Sequence, residues 1–195
     1  GNKTILDCKA DFDGTINISA SGGNTLAYTW SASGGGSGFT INSEDQDGLT
    51  AGTYDVVVSD NLGCTTASLS VPITQPAPIS VALAAAGNNL TLDCNGDANG
   101  TINIDAAGGN TLEFAWTTTD GSGLVPTDED QTGLTAGTYK VVVSDNLGCT
   151  TATLNITITQ PNVITVNLAA AGNKTTLDCN AHTDGAINID AAGGN

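Results

Sequence analysis

Residues 45–69 read Asp-Gln-Asp-Gly-Leu-Thr-Ala-Gly-Thr-Tyr-Asp-Val-Val-Val-Ser-Asp-Asn-Leu-Gly-Cys-Thr-Thr-Ala-Ser-Leu, and they return almost unchanged as residues 130–154. Three of these 25 positions differ: Asp47/Thr132, Asp55/Lys140 and Ser68/Thr153. A chain copied this closely along its length is expected to fold as an array of equal modules. A catalytic site is usually built once per domain, so the copying also points away from an enzyme. No residue is expected to be catalytic.

The copies extend beyond that stretch. Gly1-Asn-Lys-Thr-Ile-Leu-Asp-Cys8 returns at residues 87–94 and again at 172–179. Trp30 returns as Trp116 and Cys64 as Cys149. The offset is 86 early in the module and 85 later, and the lost residue falls in a Gly/Ser/Thr-rich run after Trp116. Surface loops absorb such deletions. Three segments follow: residues 1–76, a module whose first strand is missing; 77–161, a complete module; and 162–195, the start of a third. The absence of Met and the ends inside modules are read as a window on a longer array.

Within the complete module, apolar residues alternate with polar ones over short runs. Ile79, Val81 and Leu83 form a first strand after Pro76 and Pro78. Ile102 and Ile104 share one strand. Leu112, Phe114 and Trp116 occupy a central one. Tyr139, Val141 and Val143 follow. Ala152, Leu154, Ile156 and Ile158 alternate with Thr151, Thr153, Asn155, Thr157 and Thr159. Gly- and Asn-rich turns separate these runs, and no long segment carries the 3.6-residue period of a helix. The fold class is therefore all-β: tandem Ig-like β-sandwich modules of about 85 residues, about seven strands each, forming a rod with short Pro-containing linkers. Leu-x-Ala-Gly-x-Tyr before a strand predicts tyrosine corners at Tyr54 and Tyr139. Ig domains proper place a Cys two residues after that Tyr. Val56 and Val141 stand there, so the modules are Ig-like only.

Four Lys, no Arg and twenty acidic residues give a net charge of −16. Nucleic acid and anionic membranes need clustered cations, so neither is an expected partner. No apolar run is long enough to span a bilayer. Self-association with other copies or neighbouring repeats is the expected partnership, and a surface or glycan ligand is left open.

The five Cys resolve once the repeat is drawn. Each full module carries two, which predicts the intramodule disulfides Cys8–Cys64 and Cys94–Cys149, with the partner of Cys179 beyond Asn195. Disulfides imply an oxidising, extracellular location at the cell surface.

Other candidates recur less well. Asp11-x-Asp13-Gly14 and Asp97-x-Asn99-Gly100 match only the first positions of a calcium loop, so a plain Asx turn is expected there. The acidic cluster Glu44, Asp45, Asp47 with its counterpart Asp128, Glu129, Asp130 is the candidate calcium site, and no other cofactor is expected. Of six Asn-x-Ser/Thr sequons, Asn155 is the candidate glycosylation site, because its side chain faces outward in mid-strand. His182 is the one His and has no repeat counterpart, so general-base chemistry has no recurring candidate. Trp30 and Trp116 alternate with other apolar residues and are expected in the core.

The pattern Cys8, Gly14-x-Ile16, Gly22-Gly23, Tyr28-x-Trp30, Leu49-x-Ala-Gly-x-Tyr54-x-Val-x-Val-x-Asp60-x-x-Gly-Cys64, then Pro76, resembles the SprB repeat and is similar to PKD-type sandwiches. The SprB repeat is named for the large surface adhesin of gliding Bacteroidota. The resemblance spans the chain and implies a long, secreted cell-surface repeat protein acting in adhesion or gliding. It supplies no catalytic or ligand residues. Near-identity between modules favours a structural fibre or filament over the alternative, the spacer stalk of an adhesin whose binding tip lies elsewhere.

Overall fold

The computed structural model describes residues 1–63, 66–149, 151–181 and 183–194. Every regular element among them is a strand. In chain order these are β1 (Gly14–Ile16), β2 (Leu26–Ser33), β3 (Gln46–Leu49), β4 (Gly52–Asp60), β5 (Thr66–Ile73), β6 (Ser80–Leu83), β7 (Gly100–Ile102), β8 (Ile104–Ala107), β9 (Leu112–Thr118), β10 (Gln131–Leu134), β11 (Gly137–Asp145), β12 (Ala152–Ile158), β13 (Asn162–Leu168) and β14 (Ile189–Gly194). The chain divides into two compact units. One comprises Gly1–Ala82, Asp105–Ala115 and Val142–Thr153; the other comprises Leu83–Ile104, Trp116–Val141 and Leu154–Asn195.

The copied sequence folds the same way twice. β2, β4 and β5 form a three-stranded sheet with β4 in the middle; β9, β11 and β12 form its counterpart with β11 in the middle. β1 pairs β3, as β7 pairs β10. In the first sheet Trp30 stands opposite Val56, and Val56 opposite Leu69. The Tyr-x-Val-Val-Val segment holds the centre, where its β-branched residues are flanked by a strand on both edges. The strand carrying Leu112, Phe114 and Trp116 was expected to be central, and it is an edge.

A second difference concerns Ile102 and Ile104, expected on one strand. The chain changes sheets between them. β7 ends at Ile102 and pairs β10, whereas β8 begins at Ile104 and pairs β6. Asn103 makes the crossing: its N–H donates to Asn88 Oδ1 at 2.8 Å, and its carbonyl accepts from Ala84 N–H at 2.9 Å. Alternation alone does not reveal such a corner, because both isoleucines are buried.

The first unit packs Leu6, Ile16, Trp30, Leu49, Tyr54, Val56 and Ile73 into one apolar cluster. The repeat equivalents in the second unit, Leu92, Ile102, Trp116, Leu134, Tyr139, Val141 and Ile158, are likewise buried. Burying a side chain of this kind stabilises by about 1.5–3 kcal/mol. Glycine is required where β1 meets this core. A Cβ on Gly14 would come within 2.7 Å of the Leu49 carbonyl oxygen and 2.9 Å of Ile73 Cδ1; Gly100 stands in the same relation to Leu134 and Ile158.

The segment before the first Cys runs parallel to the end of the last strand. Leu6 N–H donates to Thr74 O, and Thr74 N–H donates to Thr4 O, both at 2.9 Å. Leu90, Leu92 and Thr159 repeat the pattern. Cys8 therefore lies beyond Ile73, at the end of β5 where the chain leaves the first repeat. The Gln75 side chain closes this end by accepting the Ala10 N–H at 2.8 Å. Gln160 does the same for Gly96 at 2.7 Å.

Candidate functional site

The arrangement of strand ends corrects the expected cysteine pairing. Cys8 is bonded to Cys149, with Cα atoms 5.3 Å apart and a sequence separation of 141. Cys94 and Cys179 are free and exposed. Cys64 and His182 lie outside the described residues. The physical reason is the length of β12. Cys94 is held beside Gln160 and Pro161 past its last residue, while Cys149 precedes its first. Seven residues at about 3.3 Å each make roughly 23 Å of strand, and a disulfide needs Cα atoms within about 7 Å. Cys8 is likewise held past the last residue of β5, beside Thr74 and Gln75. Consequently the bridge runs from the exit end of one copy of the repeat to the Asp-Asn-Leu-Gly-Cys hairpin of the next copy.

That hairpin is built around a buried carboxylate. Asp145 Oδ1 accepts the N–H of Cys149 at 3.0 Å and of Leu147 at 3.2 Å, and Oδ2 accepts that of Asn110 at 3.1 Å. Donation from Cys149, then from Asn110 and Leu147, holds the Asp145 carboxyl below its ordinary range, against the opposing effect of burial. The Asn110 side chain reaches on to the Asp7 carbonyl at 3.0 Å, beside Cys8. So Asp145 fixes both Cys149 and Asn110, and both of those grip residues 7 and 8. None of this was singled out from the sequence. The available signal was the identity of Ser-Asp-Asn-Leu-Gly-Cys in both copies.

The tyrosine residues tie the loops. Tyr54 is fully buried. Its hydroxyl lies 2.8 Å from the carbonyl oxygens of both Thr50 and Ser37 and accepts the Ser37 N–H at 2.9 Å. Tyr139 does likewise, 2.7 Å from Thr135 O and 3.0 Å from Ser122 O. The same loop in each repeat is closed by a buried glutamine that sequence reading passed over. Gln131 Oε1 accepts Val125 N–H, and its Nε2 donates to Val125 O, both at 2.8 Å. Gln46 brackets Thr40 in the same way. A lone amide directly after an aspartate, recurring in both copies, was the clue. Trp30 and Trp116 are buried and donate through Nε1 to Ser43 O and Asp128 O at 2.7 and 2.9 Å.

Half of the acidic cluster is spent on the protein itself. Asp45 and Asp130 accept the N–H groups of Ile18 and Ile104 at 3.1 and 2.9 Å. Glu44 faces Tyr28, whose hydroxyl is pushed up by burial and by this carboxylate. Asp47, Asp128 and Glu129 are exposed. Among the described residues no group of three or more His, Cys, Asp or Glu side chains is placed to hold a metal ion. In the second candidate loop the aspartate reaches back along the chain: Asp11 accepts Cys8 N–H at 2.9 Å, and Asp97 accepts Cys94 N–H at 3.1 Å, whereas the expected Asx turn would bond forward to the residue two on. Asp13 pairs with Lys3 at 2.5 Å, and the lysine holds its carboxyl low. Asn155 is exposed in mid-β12.

Comparison with known proteins supports the fold. The three N-terminal domains of the highly immunogenic outer capsid protein (Hoc) of bacteriophage RB49 are similar at a TM-score of 0.51 and 16% identity, over 95% of this chain and 66% of that one. A Dscam structure concerned with isoform specificity is similar at 0.38 and 13%, over 82% and 44% of the two chains. The N-terminal eight Ig domains of DSCAM are similar at 0.40 and 12%, over 87% and 24%. The chain thus spans 66% of the Hoc structure and less than half of either Dscam structure. No protein-family model and no curated protein matches the chain. The likeness is one of fold: this chain is all-β and Ig-like.

Proposed function

We propose that this chain is a structural, non-catalytic repeat segment of an extracellular bacterial surface fibre or filament, of the kind its resemblance to SprB repeats implies. The observation that carries the reading is the Cys8–Cys149 bond, which joins successive copies of the repeat. Tension applied through the chain ends passes across this bond. The residues enclosed between the two cysteines are relieved of it. A disulfide inside one module would leave the junction between copies unprotected. The recurring polar side chains, Asp145, Tyr54, Tyr139, Gln46 and Gln131, are all committed to holding loops. The persistence of a disulfide fits an oxidising, extracellular setting, and equal repeats present equal contacts at a fixed period.

The alternative is a spacer stalk that carries an adhesin tip. The near-identity of the copies favours the fibre. Electron microscopy of a chain carrying several tandem copies of residues 77–161 tests the choice. Ordered filaments thicker than one sandwich are the expected result. Isolated thin rods at every concentration transfer the reading to the stalk, and compact particles without extension overturn both.

A further inference from the structure

β4 and β11 are the central strands of matching sheets, and each turns alternate residues away from its core. In the first sheet Val56 is buried while Val57 is 44% exposed. Thr29, Val57 and Ser68 stand side by side on that outer face, and Ser31, Asp55 and Ser70 form the adjoining row. Their repeat equivalents are Ala115, Val142 and Thr153, then Thr117, Lys140 and Asn155. All of these are exposed except Asp55 and Val142, which are half-buried. Both patches lie on sheets whose edge strands are in place, and the second belongs to the complete repeat. Their exposure is a property of the repeat itself.

Of the three differences in the copied 25-residue block, two fall here, Asp55/Lys140 and Ser68/Thr153. The first reverses the charge. Each patch otherwise holds a valine among short, uncharged side chains. A chain with twenty acidic residues and four Lys thus keeps two faces with one charge each, opposite in sign. Glu113, the equivalent of Ala27, lies outside the patch. Lys3 and Lys174 are engaged by aspartates of their own chain. Among the described residues neither Asp55 nor Lys140 has an ion-pair partner within the chain.

We propose that the outer face of β2, β4 and β5 binds the outer face of β9, β11 and β12 of a second copy of this chain, with Asp55 of one copy against Lys140 of the other. The two valines lose water at the centre of the contact. The Ser, Thr and Asn side chains around them bond across it, directly or through water. An exposed ion pair adds little affinity by itself. Its role is selection: like faces set carboxylate against carboxylate or ammonium against ammonium, whereas unlike faces complement each other. The contact also brings together the parts of a −16 chain that repel least. It serves a fibre or a stalk alike, and so goes beyond the fibre reading.

The test is sedimentation of residues 1–195 over a wide concentration range at low ionic strength, with free thiols blocked by alkylation. The parent chain should associate as concentration rises, and less so in salt, which screens exposed charges. Asp55→Lys and Lys140→Asp should each weaken association by about tenfold or more, because like charges then meet. Each installs a residue that the matching strand already carries at that place, so the fold is kept, and thermal melting checks it. Asp55→Lys also lowers the net negative charge. General repulsion therefore predicts that this variant associates more strongly, the opposite result. The double variant, Asp55→Lys with Lys140→Asp, restores complementarity and should associate like the parent. A parent that stays monomeric, single variants that match it, or a double variant no better than the single ones would each overturn the pairing. Tandem copies of residues 77–161 lack Asp55, so filaments from them do not depend on this contact, and either reading can fail without the other.

Discussion

Asp145 Oδ1 accepts the backbone N–H of Cys149 at 3.0 Å, four residues further along the chain. The contact makes the hairpin that presents Cys149 dependent on a charged carboxylate. Because the folded protein holds this carboxyl low, the unfolded chain takes up the proton first as pH falls. The stabilisation is therefore complete above the ordinary carboxylate value of about 3.9 and is lost as pH drops through the lower folded value. Asp13 and Asp184, held low by Lys3 and Lys174, add to the same acid limb. Asp145→Asn should melt at lower temperature at neutral pH and show a shallower acid limb than the parent. Coincident limbs in a pH series of thermal melts would remove the role given to Asp145.

Non-reducing peptide mapping should recover a fragment joining the Cys8 and Cys149 peptides. Recovery of Cys8 joined to Cys64 would instead restore the intramodule staple. In the chain-entropy account, closing a loop of 141 residues stabilises by about 5 kcal/mol. Cys8→Ser should lower the urea midpoint accordingly. It should also free a length of chain under tension. Pulled between its ends, the bridged protein should extend less than the reduced one by roughly 450–500 Å, the reach of the enclosed residues at about 3.3–3.6 Å each.

Tyr139→Phe removes a hydroxyl that lies within hydrogen-bond distance of two part-buried carbonyls, those of Ser122 and Thr135. The expected loss is about 1–3 kcal/mol, read by urea denaturation. Gln131→Leu keeps the volume of the neighbouring clamp but removes its bonds to Val125 and Asp128. It should cost a similar amount and speed amide exchange at residues 122–130. Equal exchange in both proteins would show that the loop closes without the amide.

Much of this fold was legible because its signals are local and were printed twice. Alternation in residues 152–158 gave β12, and Leu-x-Ala-Gly-x-Tyr gave the loop that Tyr139 closes. The cysteine partners were not legible in the same way. Pairing within a module assumed that Cys8 and the hairpin shared an end of the sandwich. That depends on the direction of residues 4–6 beside Thr74, and a parallel bridge of one or two residues leaves no pattern in composition. The place of β9 at a sheet edge was hidden for a related reason. Its aromatic side chains pack the core from the edge as effectively as from the centre, and Trp116 is buried there. Gln46 and Gln131 escaped notice because a polar residue inside an acidic loop reads as solvated until its amide is found bracketing a backbone.

Val143 and Val58 provide the sharpest test of how far sequence identity carries. They occupy the same position in matching Tyr-x-Val-Val-Val-Ser-Asp strands, β11 and β4. Val143 is fully buried, and Val58 is only half-buried. In the burial account the two alanine substitutions cannot be equivalent, because less apolar surface is returned to water at Val58 and no closed cavity is left. Val143→Ala should destabilise by about 1.5–3 kcal/mol and Val58→Ala by roughly half as much or less. Local propensity predicts the opposite outcome, equal losses, since the strands are nearly identical in sequence. Denaturant midpoints of the two variants decide between these. A gap between them means that the neighbouring strand governs the energetics of each copy. Equal midpoints would mean that the valine acts through its own strand.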